Sequence, residues 1–123
     1  MNIIKVLIVA VFVIGKSYAD TASPLMIQPK NGETLEDSKK HTMEYFGCIK
    51  GQAVKYAKTG ESVDSISKAS VVSCESYIQK IAESNIYYLN SSKDGKRQFT
   101  ERLKSDGERL ATKFAMDEKL KNK

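Results

Sequence analysis

CIKGQAVKYAKTGESVDSISKASVVSC, residues 48–74, is the stretch that decides the predicted fold. Apolar residues recur three or four positions apart on both sides of Gly60, which is the spacing of amphipathic α-helices. Glycine commonly ends a helix, and so short a connection makes the neighbouring helices antiparallel. Cys48 lies twelve residues before Gly60 and Cys74 fourteen residues after it, so a hairpin brings the two cysteines to nearly the same height.

These two cysteines are the only ones in the chain. A bridge between them would close a loop of about 27 residues and stabilise the fold by roughly 3.5 kcal/mol in the chain-entropy model. Cys48 lies off the apolar stripe of its helix and shares its side with Gly47 and Gly51, so we expect a thin face that another helix approaches closely. We predict one intramolecular Cys48–Cys74 disulfide. A bridge between two copies and a redox-active pair are the alternatives.

The segment resembles a pattern found in many small, uncharacterised exported bacterial proteins, in which one cysteine pair pins two helices joined at a glycine. The residues that carry the resemblance are Cys48, Tyr56, Ala57, Gly60, Ile66 and Cys74. The resemblance covers residues 48–74 only. It implies an α-hairpin and a location in the cell envelope, and it implies neither an activity nor site residues.

The rest of the chain also has helical spacing, and no alternating run of β-branched residues predicts a strand. We predict one helical domain over residues 34–123, with helices at about 34–58, 62–89 and 96–119. Thr34 is placed to cap the first helix, and residues 90–95 have the composition of a turn. Gly107, in the third helix, indicates a kink or a close helix contact. The predicted class is therefore all-α, with a small three-helix arrangement.

The apolar stripes predict which residues face the core. They are Leu35, Thr42, Phe46, Ile49, Ala53, Tyr56 and Ala57 in the first helix, Val63, Ile66, Ser70, Val71, Cys74, Ile78, Ile81 and Tyr88 in the second, and Phe99, Leu103, Leu110 and Phe114 in the third.

The N-terminus has the three parts of an export signal. One lysine precedes an uninterrupted apolar run, Val6–Ile14, and small residues at Ser17 and Ala19 suit a cleavage site after Ala19. The run is about half of the roughly 20 residues that span a bilayer, so we expect no transmembrane segment in the mature form. We predict a signal peptide at residues 1–19 and a flexible lead-in at 20–33. The mature protein is expected in the periplasm or outside the cell, where disulfides persist.

Residues suited to catalysis or metal binding are scarce. His41 is the only histidine, and Glu44 and Asp37 are the carboxylates that could join it in a metal site. A zinc site needs three or four protein ligands, and no second histidine or free cysteine pair supplies them. The sequence has no Gly-x-Ser-x-Gly elbow and no glycine-rich phosphate loop. We therefore expect no enzymatic activity, no metal and no cofactor.

The end of the second helix is a candidate surface for a protein partner. Tyr87 and Tyr88 are adjacent on a helix and must point in different directions, so one of them is expected to be exposed beside Asn90. Aromatic side chains dominate protein interfaces, which makes these three residues candidates for partner binding. The alternative is that the tyrosines cover the core and keep only their hydroxyls in water.

The third helix is a candidate surface for an anionic partner. Residues 93–123 contain ten Lys/Arg and six Asp/Glu. An excess of this sign could approach anionic lipid, wall polymer or an acidic protein. The candidate contacts are Lys96, Arg97, Arg102, Lys104, Arg109 and Lys113. The alternative is a solvated face of mixed charge, as in many exposed helices.

The best-fitting function is a small exported, periplasmic protein-interaction module without catalysis, of inhibitor or immunity type, whose partner is a protein of the cell envelope. The alternative is an envelope structural or stress protein that contacts anionic lipid or cell-wall polymer through the basic third helix. Nucleic acid is disfavoured by export and by a modest charge, which falls from +5 to +3 when Lys5 and Lys16 leave with the signal peptide. The sequence leaves the oligomeric state open.

Overall fold

Five α-helices make up the part of the chain that the computed structural model describes, residues 26–121. They are α1 (Leu35–Ala57), α2 (Val63–Ser73), α3 (Glu75–Glu83), α4 (Ile86–Leu89) and α5 (Lys93–Lys121). A 3-10 turn, Lys30–Gly32, precedes α1. Residues 26–121 contain no strand. The predicted all-α class is confirmed. The predicted signal peptide and the first part of the predicted lead-in lie outside the described residues.

Helices α1 and α5 pack side by side and run in the same direction. Near the middle of α1, the hydroxyl of Tyr45 donates to the backbone carbonyl of Leu103 at 3.2 Å. Further along α1, the ammonium group of Lys50 lies 5.2 Å from the centre of the Phe114 ring. Because the contacts advance along both helices together, the two helices are parallel.

Helices α2 and α3 pack against both α1 and α5, and they run antiparallel to α5. In α2, the hydroxyl of Ser67 donates to the carbonyl of Glu108 at 3.0 Å. In α3, the carboxylate of Glu75 pairs with the ammonium group of Lys104 at 3.4 Å. The contacts move toward the start of α5 as the chain advances from α2 to α3. This path is compatible with the predicted three-helix arrangement.

The prediction of one uninterrupted helix over residues 62–89 is wrong in detail, because that stretch is divided into α2, α3 and α4. Cys74 has φ −106° and ψ 10°, which ends α2 and begins α3. At the end of α3, the hydroxyl of Ser84 donates to the carbonyl four residues earlier at 2.8 Å. Asn85 then caps α4 through its side-chain oxygen. Serine and asparagine compete in this way with the helical backbone bonds.

Side-chain caps also determine where α1 and α5 begin. The hydroxyl of Thr34 accepts from the backbone N–H of Asp37, and the Asp37 carboxylate accepts from the Thr34 N–H at 2.7 Å. This backbone hydrogen bond lowers the pKa of Asp37. The hydroxyl of Ser92 accepts from the N–H of Gly95 at 3.1 Å. Helix α5 therefore begins three residues earlier than predicted, and the turn before it is shorter.

A close helix contact joins Tyr45 of α1 to Gly107 of α5. Tyr45 is fully buried, and burial raises the pKa of its hydroxyl to about 12. A Cβ atom at Gly107 would overlap that hydroxyl and would lie 3.3 Å from Cγ2 of Val71. Helix α5 continues through Gly107 without interruption. Of the two predicted roles of Gly107, the structure has the close helix contact.

The inner face of α1 differs from the predicted stripe. Tyr45 and Ser38 are buried, whereas Leu35 is 45% exposed. A buried tyrosine needs room for its ring and a partner for its hydroxyl. The absent side chain at Gly107 provides the room, and the Leu103 carbonyl provides the partner. Neither condition is visible in the sequence of α1 itself.

Cys48 and Cys74 form the predicted intramolecular disulfide, with their Cα atoms 6.0 Å apart. Cys74 is fully buried, and Cys48 is partly buried against the core. The bond joins the middle of α1 to the residue between α2 and α3. Closing a loop of about 27 residues stabilises this hairpin by roughly 3.5 kcal/mol in the chain-entropy model.

The expected thin face at Gly47 and Gly51 is wrong. Both glycines are exposed, and no heavy atom lies within 4 Å of a Cβ built at either position. The disulfide forms instead because Cys48 lies on the flank of the packed face of α1, opposite the non-helical backbone at Cys74. The two glycines leave an open surface on α1.

We expect Gly107→Ala to lower the free energy of unfolding by about 1–3 kcal/mol, because the added methyl group overpacks the Tyr45 site. The same substitution inside an exposed helix ordinarily raises that free energy by about 1 kcal/mol. Urea unfolding followed by circular dichroism measures the difference.

Gly51→Ala is the matched control, because this glycine lies inside α1 with nothing near its Cβ position. It should raise the free energy of unfolding by about 1 kcal/mol. Adding Tyr45→Phe to Gly107→Ala removes the overlapping hydroxyl, so the two substitutions should be energetically coupled. A Gly107→Ala protein that is stabilised as much as Gly51→Ala would contradict the close contact.

Candidate interaction surfaces

Ser38 and Asn85 connect α1 to the junction of α3 and α4. The hydroxyl of Ser38 donates to the carbonyl of Ile81 at 3.1 Å and accepts from the side-chain amide of Asn85 at 3.4 Å. The side-chain oxygen of Asn85 accepts from the backbone N–H groups of Tyr87 and Tyr88 at 3.0 and 3.2 Å. Asn85 therefore both begins α4 and ties it to α1.

Asn90 holds the segment that precedes α1 against α4. Its side-chain oxygen accepts from the backbone N–H of Ile27 at 2.8 Å, and its amide donates to the Ile27 carbonyl at 2.9 Å. The same amide donates to the carbonyl of Ile86 at 2.8 Å. We call these three bonds the Asn90 clasp. Part of the predicted lead-in, from residue 26 onward, is thus attached to the helices.

Tyr87 and Tyr88 point in different directions, as their adjacency on a helix requires. Tyr87 is 67% exposed. Tyr88 is half-buried, and its ring centre lies 5.2 Å from that of Phe99. The ammonium group of Lys96 lies 5.6 Å from the centre of the Tyr88 ring. One tyrosine therefore belongs to the surface and the other to the contact between α4 and α5.

The clasp brings the segment that contains Met26 and Ile27 to the end of α4, the helix on which Tyr87 is exposed. Met26, Ile27 and Tyr87 are 37%, 57% and 67% exposed, and we call these three residues the α4 patch. The backbone on both sides of the patch is fixed by the hydrogen bonds of Asn85 and Asn90. The patch is an apolar surface on a well-anchored frame.

A groove of about 650 Å³ lies between α3 and α5. Tyr88 lines it together with apolar residues of α3, and Thr100 lines it from α5. Charged groups of both signs stand around it: Glu75 and Glu83 on α3, and Lys104 on α5. Tyr88 thus takes part in the groove, while its neighbour Tyr87 belongs to the α4 patch.

Most of the six basic residues singled out on α5 have a partner within the fold. The pairs are Arg97 with Asp94 and Glu101, Lys104 with Glu75, Arg109 with Asp106, and Lys96 with the Tyr88 ring. Among the described residues, Arg102 and Lys113 have no carboxylate within 4.0 Å. Hydrogen bonds to Asp94 and Glu101 raise the pKa of Arg97. Along most of its length, α5 has a face of mixed charge.

His41 lies between two carboxylates. Its Nε2 is 3.3 Å from Glu33, and its Nδ1 is 3.3 Å from Glu44. The Asp37 carboxylate is bonded to Thr34 in the cap of α1. Within residues 26–121, no three His, Cys, Asp or Glu side chains are grouped so that they could hold a metal ion. Over the same residues, no helix combines the length and the apolar character that a membrane span requires.

Comparison of the chain with protein-family models, curated proteins and solved structures gives no match.

Only part of the α4 patch could be predicted from the sequence. The sequence predicts a surface of Tyr87, Tyr88 and Asn90, and the structure places all three at one end of the bundle. Met26 and Ile27 were not predicted there, because they reach this end through a bond from Ile27 to a residue 63 positions away. No local sequence pattern predicts such a contact. Asn90 was grouped there as a direct partner contact, and its amide is bonded to Ile27 and Ile86.

We expect Asn90→Ala to release the segment before α1. The backbone N–H of Ile27 loses its acceptor, so its hydrogen exchange should accelerate while exchange in the core of α5 stays unchanged. Hydrogen exchange followed by NMR or mass spectrometry measures this directly.

Gln79→Ala is the control, since among residues 26–121 the Gln79 amide bonds only to Glu83, one turn away on α3. It removes an exposed side-chain amide without touching the clasp. Equal exchange at Ile27 in Asn90→Ala and Gln79→Ala would contradict the clasp.

Proposed function

We propose that this protein is a small exported interaction module that binds a protein partner of the cell envelope through the α4 patch. Its role would be of the inhibitor or immunity type, in which a compact domain covers a site on a toxin or a hydrolase. The observation that carries the proposal is the exposed Tyr87 on α4, to whose end Asn90 bonds the segment with the exposed Met26 and Ile27.

The composition of the patch supports a protein partner. Tyrosine and methionine are enriched in protein interfaces, and aromatic side chains are frequent among the residues that contribute most binding energy. Tyr87 offers a large, amphipathic contact area with few rotatable bonds. Burying most of such a side chain in a complementary pocket contributes about 1.5–3 kcal/mol.

The rigidity of the frame also favours binding. Association costs free energy whenever mobile side chains and loops become ordered. The backbone of α4 is bonded to Asn85 at its start and to Asn90 at its end, and the preceding segment is bonded to Asn90. The patch can therefore be covered with little further ordering of this chain.

The compartment is part of the proposal. A disulfide suits the periplasm or the cell exterior, where oxidising conditions maintain it. The apolar N-terminal run and the small residues near Ala19 supply the export signal that the proposal requires. We propose a function without catalysis, in which His41 of α1 serves structure through its contact with Glu33 in the segment before α1.

Site-specific photo-crosslinking tests the proposal. A photoreactive phenylalanine derivative at Tyr87, expressed in the natural host, should give one dominant crosslinked product. Tyr87→Ala in the purified protein should then weaken binding to the identified partner by about tenfold or more, as expected for an anchor residue.

The matched control places the same photoreactive group at Val72, which is 70% exposed on α2. It should not give that product. Identical crosslinking from Tyr87 and Val72, or a partner whose affinity is indifferent to Tyr87→Ala, would refute binding through the α4 patch.

A further inference from the structure

Two large apolar side chains are exposed near the end of α5. Met116 is 50% exposed and Leu120 is 64% exposed. Residues four positions apart lie on the same face of a helix, so the two side chains form one short apolar strip. The strip lies on a helix whose other exposed residues are mostly charged or polar. Nothing within the described chain covers it.

The strip continues into a groove between α5 and α1. This groove has a volume of about 510 Å³, and Leu120 lines it together with Phe114 and Val54. Charged groups of both signs also line it, Lys50 and Lys121 with Asp117 and Glu118. The Lys50 ammonium group lies 5.2 Å from the centre of the Phe114 ring. We call the strip and this groove the α5 tip.

Lysines outnumber acidic residues at the α5 tip. The groove lining and residues 113–121 together contain two acidic residues, Asp117 and Glu118, and four lysines, an excess of two positive charges. One of the lysines, Lys121, pairs with Glu118 on its own helix. In the described part of the chain, the other three have no carboxylate within 4.0 Å: Lys50, Lys113 and Lys119. These ammonium groups are available to external anions.

We propose that the α5 tip docks on an anionic lipid bilayer. Met116 and Leu120 enter the boundary between headgroups and acyl chains, and the surrounding lysines contact lipid phosphates. An apolar strip flanked by lysines is the pattern of helices that lie at a membrane interface. Each lysine near an anionic surface adds attraction that salt screens.

Chemistry favours lipid over a second protein at this end. Lysine is depleted in protein interfaces, because ordering its long side chain and desolvating its charge are costly. A fluid layer of phosphate groups adapts to mobile lysines without ordering them. The α4 patch has the opposite composition, with tyrosine and methionine exposed.

The α4 patch and the α5 tip are far enough apart to be occupied at the same time. Helix α5 has 29 residues. At 1.5 Å per residue its ends are about 43 Å apart. Tyr88 packs on Phe99 in its first turns, whereas Leu120 lies in its last turn. A protein held at a membrane by the α5 tip would carry the α4 patch away from the lipid surface. This inference does not depend on the protein-binding role.

Vesicle co-sedimentation tests the proposal. The protein is recovered after export from its host, and its N-terminus is established by intact mass so that every variant carries the same start. We expect binding to phosphatidylcholine vesicles that contain phosphatidylglycerol, little binding to phosphatidylcholine alone, and loss of binding at high salt. Met116→Ser/Leu120→Ser should lower the partition coefficient by about tenfold or more.

The matched control is Met43→Ser/Val72→Ser, which removes two side chains that are 68% and 70% exposed on other faces. It should bind as the unaltered protein does. All four residues are exposed, so circular dichroism should show that both variants remain folded.

Three results would overturn the proposal. The first is no binding to the anionic vesicles, and the second is equal binding of the tip variant and the control variant. The third is a tip variant that converts a dimer into a monomer in sedimentation velocity while vesicle binding is unchanged, which would assign the tip to a second copy of the chain.

Discussion

The contact between Tyr45 and Gly107 is the constraint on which the arrangement of the helices depends. A fully buried tyrosine on α1 occupies the space left by a missing side chain on α5, and its hydroxyl bonds to the Leu103 carbonyl. The ring fits at one position along α5, so this contact fixes how far α5 extends past each end of α1. Val71 of α2 meets the same position, which brings the third packed helix to the same point.

The disulfide acts on the same side of α1, three residues further along the helix. It ties Cys48 to Cys74 and so holds the α2–α3 break beside the middle of α1. The two ends of the bundle that these contacts hold together differ in composition. The α4 patch is apolar and aromatic, whereas the α5 tip combines an apolar strip with lysines. The proposed partners differ for this reason: a protein at one end and an anionic bilayer at the other.

The sequence predicted those features that depend on local pattern. Helical spacing identified the all-α class, and the positions of Cys48 and Cys74 around Gly60 identified the disulfide. Features that depend on distant contacts were missed. Tyr45 is buried only because Gly107 makes room for it, and Ile27 reaches Asn90 across 63 positions.

Composition and periodicity also fail to show where polar side chains interrupt a helix and which small residues are packed. The stretch from Ser62 to Leu89 has helical periodicity throughout, yet backbone bonding by Ser84 and capping by Asn85 interrupt it. Gly47 and Gly51 looked like a packing face because small residues permit close approach, but no helix lies there. The six basic residues of α5 stay candidate contacts for an anion, and carboxylates three or four residues away pair with two of them, Arg97 and Arg109.

The most direct test of the central claim is a measurement of nuclear Overhauser effects between the Tyr45 ring and the α-protons of Gly107 in the folded protein. The account predicts strong cross-peaks between them, with at least one Gly107 α-proton shifted by the ring current of the tyrosine. Gly107 α-protons at ordinary helical shifts, with no cross-peak to Tyr45, would contradict it and would remove the basis for placing the two surfaces at opposite ends of the bundle.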